Sequence, residues 1–197
     1  MEKKEPTNLQ EISQKKRRIR KEVLQLREQL PESVRKMSSY KLADRIIGHQ
    51  WFYRSENILI FASFGSEIDT SEIIGEAFRN GKKVYVPRVE GDVMHFYRIY
   101  SMDELTPGYR GIPEPDGHSE KYVYLPEEAE HTLMIMPGAA FDPYRNRIGY
   151  GKGYYDKYLA DKEALQLRTV AIGFQCQMVE EIPCEEMDIK PYQVIVS

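Results

Sequence analysis

Residues 149–156 read GYGKGYYD: three glycines at alternate positions, a lysine between the last two, then two tyrosines and an aspartate. Glycine allows positive φ and close approach to the main chain, so such a cluster marks a tight loop around something. Inward-turned amides with the Lys152 ammonium beside them suit an anion, and phosphate is the commonest biological one. A carboxylate such as Asp156 belongs next to phosphate when Mg2+ lies between them, because that ion is shared between one or two carboxylates and phosphate oxygens. The octet therefore reads as a place for nucleotide plus magnesium, its bland alternative being a turn leading into a helix. Of two familiar loops, one is excluded and the other disfavoured. A P-loop requires Ser or Thr after the lysine, where Gly153 stands, and the dinucleotide fingerprint requires G-x-G-x-x-G directly after the first strand, whereas this G-x-G-x-G comes late in the chain.

The elements that must carry this loop follow from hydrophobic spacing. Ile12, Ile19, Val23, Leu26 and Leu30 trace one face of a helix whose early turns are crowded with Lys15, Lys16, Arg17, Arg18, Arg20 and Lys21, and Pro31 marks its end. Residues 1–11 read as a flexible tail. A second helix runs over 32–49 and presents Val34, Leu42 and Ile46, and Trp51, Phe52 and Tyr53 then cover the entry to a sheet. Five apolar runs at 57–63, 83–89, 132–138, 168–174 and 192–196 have the character of buried strands, and 94–99 reads as an additional one. Between the first two runs, Asp69 or Thr70 caps a helix that buries Ile73, Ile74, Ala77 and Phe78 and stops at Gly81. That is a βαβ unit. Residues 101–131, rich in Pro and Gly, form a long surface excursion, and 139–148 a long loop. The expectation is a single three-layer α/β domain over 1–197 with a mainly parallel sheet. The glycine cluster then lies beyond the carboxyl ends of the strands, where such sheets bind ligands, and opens the following helix.

Bulk properties narrow the function. The chain has 197 residues, is 41% hydrophobic and 30% charged, and carries a formal charge of −3, an ordinary globular composition that argues against nucleic acid or an anionic membrane as partner. No apolar run approaches a bilayer span and the N-terminus has no apolar core, so a cytoplasmic protein is expected. Cys176 and Cys184 are eight apart, which suits neither a C-x-x-C pair nor a disulfide framework, and His49, His95, His118 and His131 are scattered without zinc spacing.

With its flanks, FDPYRNRIGYGKGYYDKYL resembles the central motif of the 5-formyltetrahydrofolate cyclo-ligase family, the 5,10-methenyltetrahydrofolate synthetases. Further matches occur in the family's order: KRRIR at 16–20, EIDT at 67–70, GKKVYVPRV at 81–89, MHFYRI at 94–99, GIPEP at 111–115 and IPCEEMD at 182–188. The resemblance implies a Rossmann-like domain of the NagB/RpiA/CoA-transferase-like kind with a basic N-terminal helix. It implies an ATP- and Mg2+-dependent ligase of one-carbon metabolism that converts 5-formyltetrahydrofolate to 5,10-methenyltetrahydrofolate, ADP and phosphate. Its partner would be a reduced folate, and the protein a monomer or weak homodimer. Carried over by motif, Lys16 and Arg20 reach the ATP phosphates from the first helix. Arg147, Gly149, Tyr150, Gly151, Lys152, Gly153, Tyr154 and Tyr155 wrap the nucleotide, with Arg147 and Lys152 as the catalytic cations. Asp156 and Asp188 hold magnesium, and Glu67, Ala62, Tyr150 and Tyr154 meet the folate. Two positions depart from the pattern: Arg145 stands where the family often has Gly, with Asn146 expected to take the left-handed conformation instead, and Tyr192 stands where a second acid is frequent. A non-catalytic nucleotide-binding module on the same fold and a Rossmann-like oxidoreductase are the competing readings. The oxidoreductase is disfavoured by the glycine spacing, and the module by the presence of all seven expected charges.

Overall fold

The computed structural model describes residues 9–197. In chain order its elements are α1 (Leu9–Glu28), α2 (Glu32–Ile47), α3 (Gln50–Arg54), β1 (Asn57–Ile60), α4 (Ser71–Arg79), β2 (Lys83–Glu90), β3 (Val93–Ile99), β4 (Thr106–Pro107), β5 (Pro113–Glu114), β6 (Thr132–Met136), β7 (Ala140–Phe141), β8 (Arg147–Ile148), α5 (Tyr154–Leu159), α6 (Glu163–Gln166), β9 (Thr169–Gly173) and β10 (Gln193–Val196). The main sheet has the order β10-β9-β6-β1-β2-β3. All its pairings are parallel except β2 with β3, a hairpin closed by Gly91 at φ +64°.

Strands β1, β6 and β9 are buried along their whole length, which is why their sequences are continuous apolar runs without alternation. The pleat divides them between two layers. Ile58 and Ile60 pack with Leu42, Ile46, Ile73 and Ile74 from α2 and α4, while Leu59 and Met134 pack with Leu159 and Leu165 from α5 and α6. Burying each such side chain stabilises the fold by about 1.5–3 kcal/mol. α4 buries Ile73, Ile74 and Ala77 as its periodicity requires, with Phe78 partly buried. Thr70 occupies its N-cap position, yet the capping bond to the Ser71 amide comes from Asp69 Oδ1 at 2.9 Å, because the Thr70 hydroxyl is bonded to the Phe61 carbonyl at 2.9 Å.

Several sequence expectations are corrected. The first helix begins at Leu9, so residues 9–11 of the expected tail are helical; the rest of that tail lies outside the described residues. Along α1, Leu26 is 52% exposed and Arg27, four residues after Val23, takes the buried position at 6%. α2 ends at Ile47 rather than at residue 49, with Val34 exposed and Ser39 and Ala43 facing in with Leu42 and Ile46. Of the aromatic trio only Phe52 is fully buried; Tyr53 is exposed and Trp51 packs its ring against Tyr192 at 5.1 Å. Residues 101–131 carry the small β4–β5 hairpin, and their far end, Glu120–Tyr122, runs along the open edge of β3, with Arg98 N–H donating to Glu120 O and Tyr122 N–H to Phe96 O, both at 2.8 Å. At the opposite edge, Arg145 and Arg45 donate to the carbonyls of Tyr192 and Val196, both at 2.7 Å.

The segment expected as a loop over 139–148 is a tight β7–β8 hairpin, and its left-handed residue is Arg145 at φ +66°, not Asn146. A Gly at this place avoids the steric cost that Arg145 bears. The buried Asp142 carboxylate organises the turn. Its Oδ1 accepts from the Tyr144 and Asn146 amides at 2.9 Å, and its Oδ2 from Asn146 Nδ2 at 2.7 Å and the Ile182 amide at 2.9 Å. Gly138 and Gly173 flank the hairpin, and a Cβ at either would meet the Phe141 ring at 2.5 and 2.7 Å, so both must be glycine. We expect Asp142→Ala to destabilise the protein by about 3 kcal/mol or more, since it strands several buried donors, and Asp142→Asn by less. Urea unfolding checks this through the shift in midpoint.

Candidate active site

β1 pairs with β2 on one side and β6 on the other, so the chain leaves the sheet in opposite directions at this point and a crevice opens beyond the carboxyl ends of β1 and β6. A cavity of about 310 Å³ lies there, within the size range of small-molecule sites. Its floor is largely apolar, with Phe61 and Ala62 following β1, Pro137 following β6, Val89 from β2 and Met94 from β3. Tyr109 and Ile112 of the excursion form one wall and the glycine loop the other. The Tyr109 and Tyr154 rings meet edge to face across the mouth, 6.3 Å between centroids.

Charged groups enter this apolar enclosure in two linked sets. Glu67, partly buried, accepts the Tyr150 hydroxyl at Oε1 and the Phe64 amide at Oε2, the latter at 3.0 Å. Arg27 donates through Nη1 to the Tyr150 oxygen at 2.8 Å and through Nε to Ser66 Oγ at 3.1 Å. Removal from water pushes the Glu67 carboxyl above its ordinary range, against the opposing pull of Tyr150, the Phe64 amide and the Arg27 charge. Tyr150 is raised for the same reason, its burial reinforced by the charge of Glu67. In the second set, buried Arg147 donates to Pro137 O at 3.3 Å and to Asp156 Oδ1 at 3.2 Å. The guanidinium also lies 5.5 Å from the centre of the Tyr155 ring. Arg147 Nε and the Tyr155 hydroxyl are both buried without a partner among the described residues, and burial raises the Tyr155 hydroxyl. Both side chains line the cavity, while these two atoms are themselves closed to it.

The glycine loop is held from outside by α1. Arg20 Nε donates to Gly149 O at 2.7 Å and its guanidinium lies over Gly151, which has φ +101°. Lys152 on the same loop is exposed and makes no hydrogen bond or ion pair among the described residues, so its charge is free to meet a ligand. One turn before Arg20 on α1, Lys16 pairs with Asp188 and with Glu185 Oε2, the latter at 2.8 Å, and Asp188 Oδ2 also accepts the Glu185 amide at 2.7 Å. Burial lowers the Lys16 ammonium, but these two carboxylates outweigh it and hold it above its ordinary value.

A model of the 5-formyltetrahydrofolate cyclo-ligase family matches residues 12–197. The chain belongs to that family. The mouse 5-formyltetrahydrofolate cyclo-ligase is 32% identical over 93% of this chain and 94% of its own length, and the Escherichia coli K12 enzyme of the same name is 30% identical over 85% and 91%. The structure of Aquifex aeolicus 5,10-methenyltetrahydrofolate synthetase superposes with a TM-score of 0.77 at 30% identity, covering 92% of this chain and 89% of that one. Its counterpart from Mycoplasma pneumoniae, 18% identical with a TM-score of 0.71, shares the fold, an α/β architecture with a mostly parallel central sheet. The protein is accordingly an enzyme of the ligase class.

In this cyclo-ligase fold, Ala62, Glu67, Arg147, Gly149, Tyr150, Lys152, Gly153, Tyr154, Tyr155 and Asp156 converge on one cavity. Lys16, Arg20, Gly151 and Asp188 lie outside its lining, behind the glycine loop or beside it. Asp188 is adjacent to Ile189, whose amide donates to Asp156 Oδ1 at 3.2 Å, so the two expected metal carboxylates belong to touching segments. Among the described residues no three His, Cys, Asp or Glu side chains cluster as a ready metal site. No helix among them is long and apolar enough to cross a membrane. The sequence reading missed Arg27 and buried Glu114, another cavity residue. For Arg27 a signal existed: with Lys16, Arg20 and Val23 it completes a stripe at spacings of four, three and four, one helix face.

Because Glu67 has a raised folded-state value, its ionisation opposes folding: stability falls as pH rises from the unfolded value through the folded one. Glu67→Gln is therefore expected to melt at a higher temperature than the wild type at pH 7, with the difference vanishing below about pH 4, where both chains are neutral at this position. Melting curves across that pH range check the sign.

Proposed function

We propose that the protein closes 5-formyltetrahydrofolate to 5,10-methenyltetrahydrofolate with ATP as phosphoryl donor, releasing ADP and phosphate. The observation that carries this reading is the contact of Glu67 with Tyr150, which joins the expected folate group to the expected phosphate loop across one apolar cavity.

The chemistry explains why such a cavity suits the task. The N5-formyl group is an amide, and its oxygen leaves poorly as hydroxide. Attack of that oxygen on the γ-phosphorus breaks the bond to ADP; N10 then bonds to the formyl carbon, the carbon–oxygen bond breaks, phosphate leaves with the former formyl oxygen, and N10 loses its proton. The protein's work is to align the reactants, stabilise spreading negative charge and exclude water. Glu67, with two carboxylate oxygens, matches the paired N–H donors of a pterin ring, while Ala62 leaves room beside it and Tyr154 closes over it. Lys152 and Arg147 meet the phosphates, Gly149, Gly151 and Gly153 let them approach the main chain, Arg20 supports the loop from α1, and Lys16 holds the segment that carries Asp188.

The donor set fits magnesium. Asp156 Oδ2 and Asp188 Oδ1 make no hydrogen bond among the described residues, so each carboxylate keeps an oxygen available beside the phosphate loop. When bound there, the ion supplies charge neutralisation for the phosphate oxygens.

The test is the near-ultraviolet absorbance of the methenyl product after mixing protein, 5-formyltetrahydrofolate, Mg2+ and ATP. A rise is expected that disappears without ATP and on chelation of the metal. Lys152→Ala is expected to lower kcat by about 10²–10³-fold with an unchanged melting temperature, because this exposed side chain makes no hydrogen bond or ion pair among the described residues. Absence of product from a folded protein that still binds ATP would identify a nucleotide-binding module instead.

A further inference from the structure

We propose that Arg27 is a positioning residue for folate, holding Tyr150 and Glu67 in one orientation so that the Glu67 carboxyl group is presented to the pterin. The inference rests on the cyclo-ligase reading and adds to it a residue that none of the matched motifs contains.

Its basis is geometric. Arg27 lies in the last turn of α1 with its side chain turned into the cavity, 6% exposed. A buried guanidinium is retained at considerable desolvation cost, and ordinarily a carboxylate meets it directly. Here, among the described residues, its hydrogen bonds go to neutral hydroxyls, Ser66 Oγ and the Tyr150 oxygen. The Tyr150 hydroxyl accepts from Arg27 and therefore has its proton turned toward Glu67 Oε1. A single orientation of Tyr150 follows, and with it the rotamer of Glu67, whose other oxygen is fixed by the Phe64 amide. The groups facing Glu67 are Arg27 from α1, Tyr150 from the glycine loop, the Phe64 amide from its own turn and, farther off, Tyr155 from α5. The positive charge of Arg27 acts on the carboxylate and counteracts the effect of burial, while Arg110, Arg147 and Lys152 line other parts of the same cavity.

Single variants and one double variant test this by titration with 5-formyltetrahydrofolate and separately with ATP. Arg27→Met is expected to weaken folate binding about tenfold or more, to leave ATP binding unchanged, and to move the acid limb of the folate affinity to higher pH. Arg27→Lys restores the charge but not the fork, so it is expected to return the acid limb toward the wild-type position while affinity recovers only in part. Ser66→Ala loosens Arg27 without removing a buried charge and is expected to give a smaller loss in the same direction, which keeps the test available if Arg27→Met does not fold. Combined with Tyr150→Phe, Arg27→Met is expected to add little further loss, because both act through one contact. Wild-type folate affinity with an unmoved acid limb in these variants overturns the role of Arg27 alone. Wild-type protein that binds no 5-formyltetrahydrofolate overturns the cyclo-ligase reading, and this inference with it.

Discussion

One carboxylate sets the geometry on which the cavity depends. Asp142 is 1% exposed and spends both oxygens on donors from two stretches of chain, the β7–β8 turn and the segment that begins at Ile182. Ionised acceptors make stronger bonds than neutral ones, and four donors give such a group a substitute for its lost water. Because Asp142 fixes the turn, Arg147 leaves β8 at a set height and reaches Pro137 and Asp156. Because it also holds Ile182, the following residues return to place Asp188 against Lys16 and Ile189 against Asp156. The hairpin, the phosphate loop and the C-terminal segment are thus locked by one side chain that never reaches the cavity.

Helix α1 performs the complementary task from the other side. Its packing on the sheet is slight: Val23 joins Ala139, Ala140, Ile148 and Ile182 in a small cluster of their own. What binds it further is polar, through Lys16 to the C-terminal segment, Arg20 to the glycine loop and Arg27 to Tyr150. Part of the attachment of α1 is thus apolar, through Ile19, Val23 and Leu24, and part runs through long cationic side chains that reach the loops around the cavity.

How much of this was legible in the sequence depends on how far apart the partners lie. Strands of four to eight apolar residues and the amphipathic α4 announced themselves, because burial on two faces or on one stripe imposes a local pattern. The β7–β8 hairpin did not: strands of two residues carry no period, and its stability comes from Asp142 and from glycines that admit Phe141. Arg27 escaped a purely hydrophobic count because three of the four residues in its stripe on α1, Lys16, Arg20, Val23 and Arg27, are cationic, and its partner Tyr150 is 123 residues away. The motif residues around 149–156 were placed correctly as a loop at the sheet's carboxyl ends, since that depends on strand order in the chain more than on side-chain contacts. What no local pattern carried was the connection of Glu67 to Tyr150 and of Lys16 to Asp188, pairs separated by 83 and 172 residues.

The treatment of the two outer strands has a meaning for the protein's behaviour among its own copies. An open β edge is a template on which another chain can crystallise into a shared sheet. Here the β3 side is occupied by Glu120–Tyr122, and at β10 the guanidinium groups of Arg45 and Arg145 sit on the carbonyls that a visiting strand needs. An incoming segment would have to displace charged donors before forming its first bond. The arginine that strains the β7–β8 turn thereby also guards the sheet against fibrous self-association.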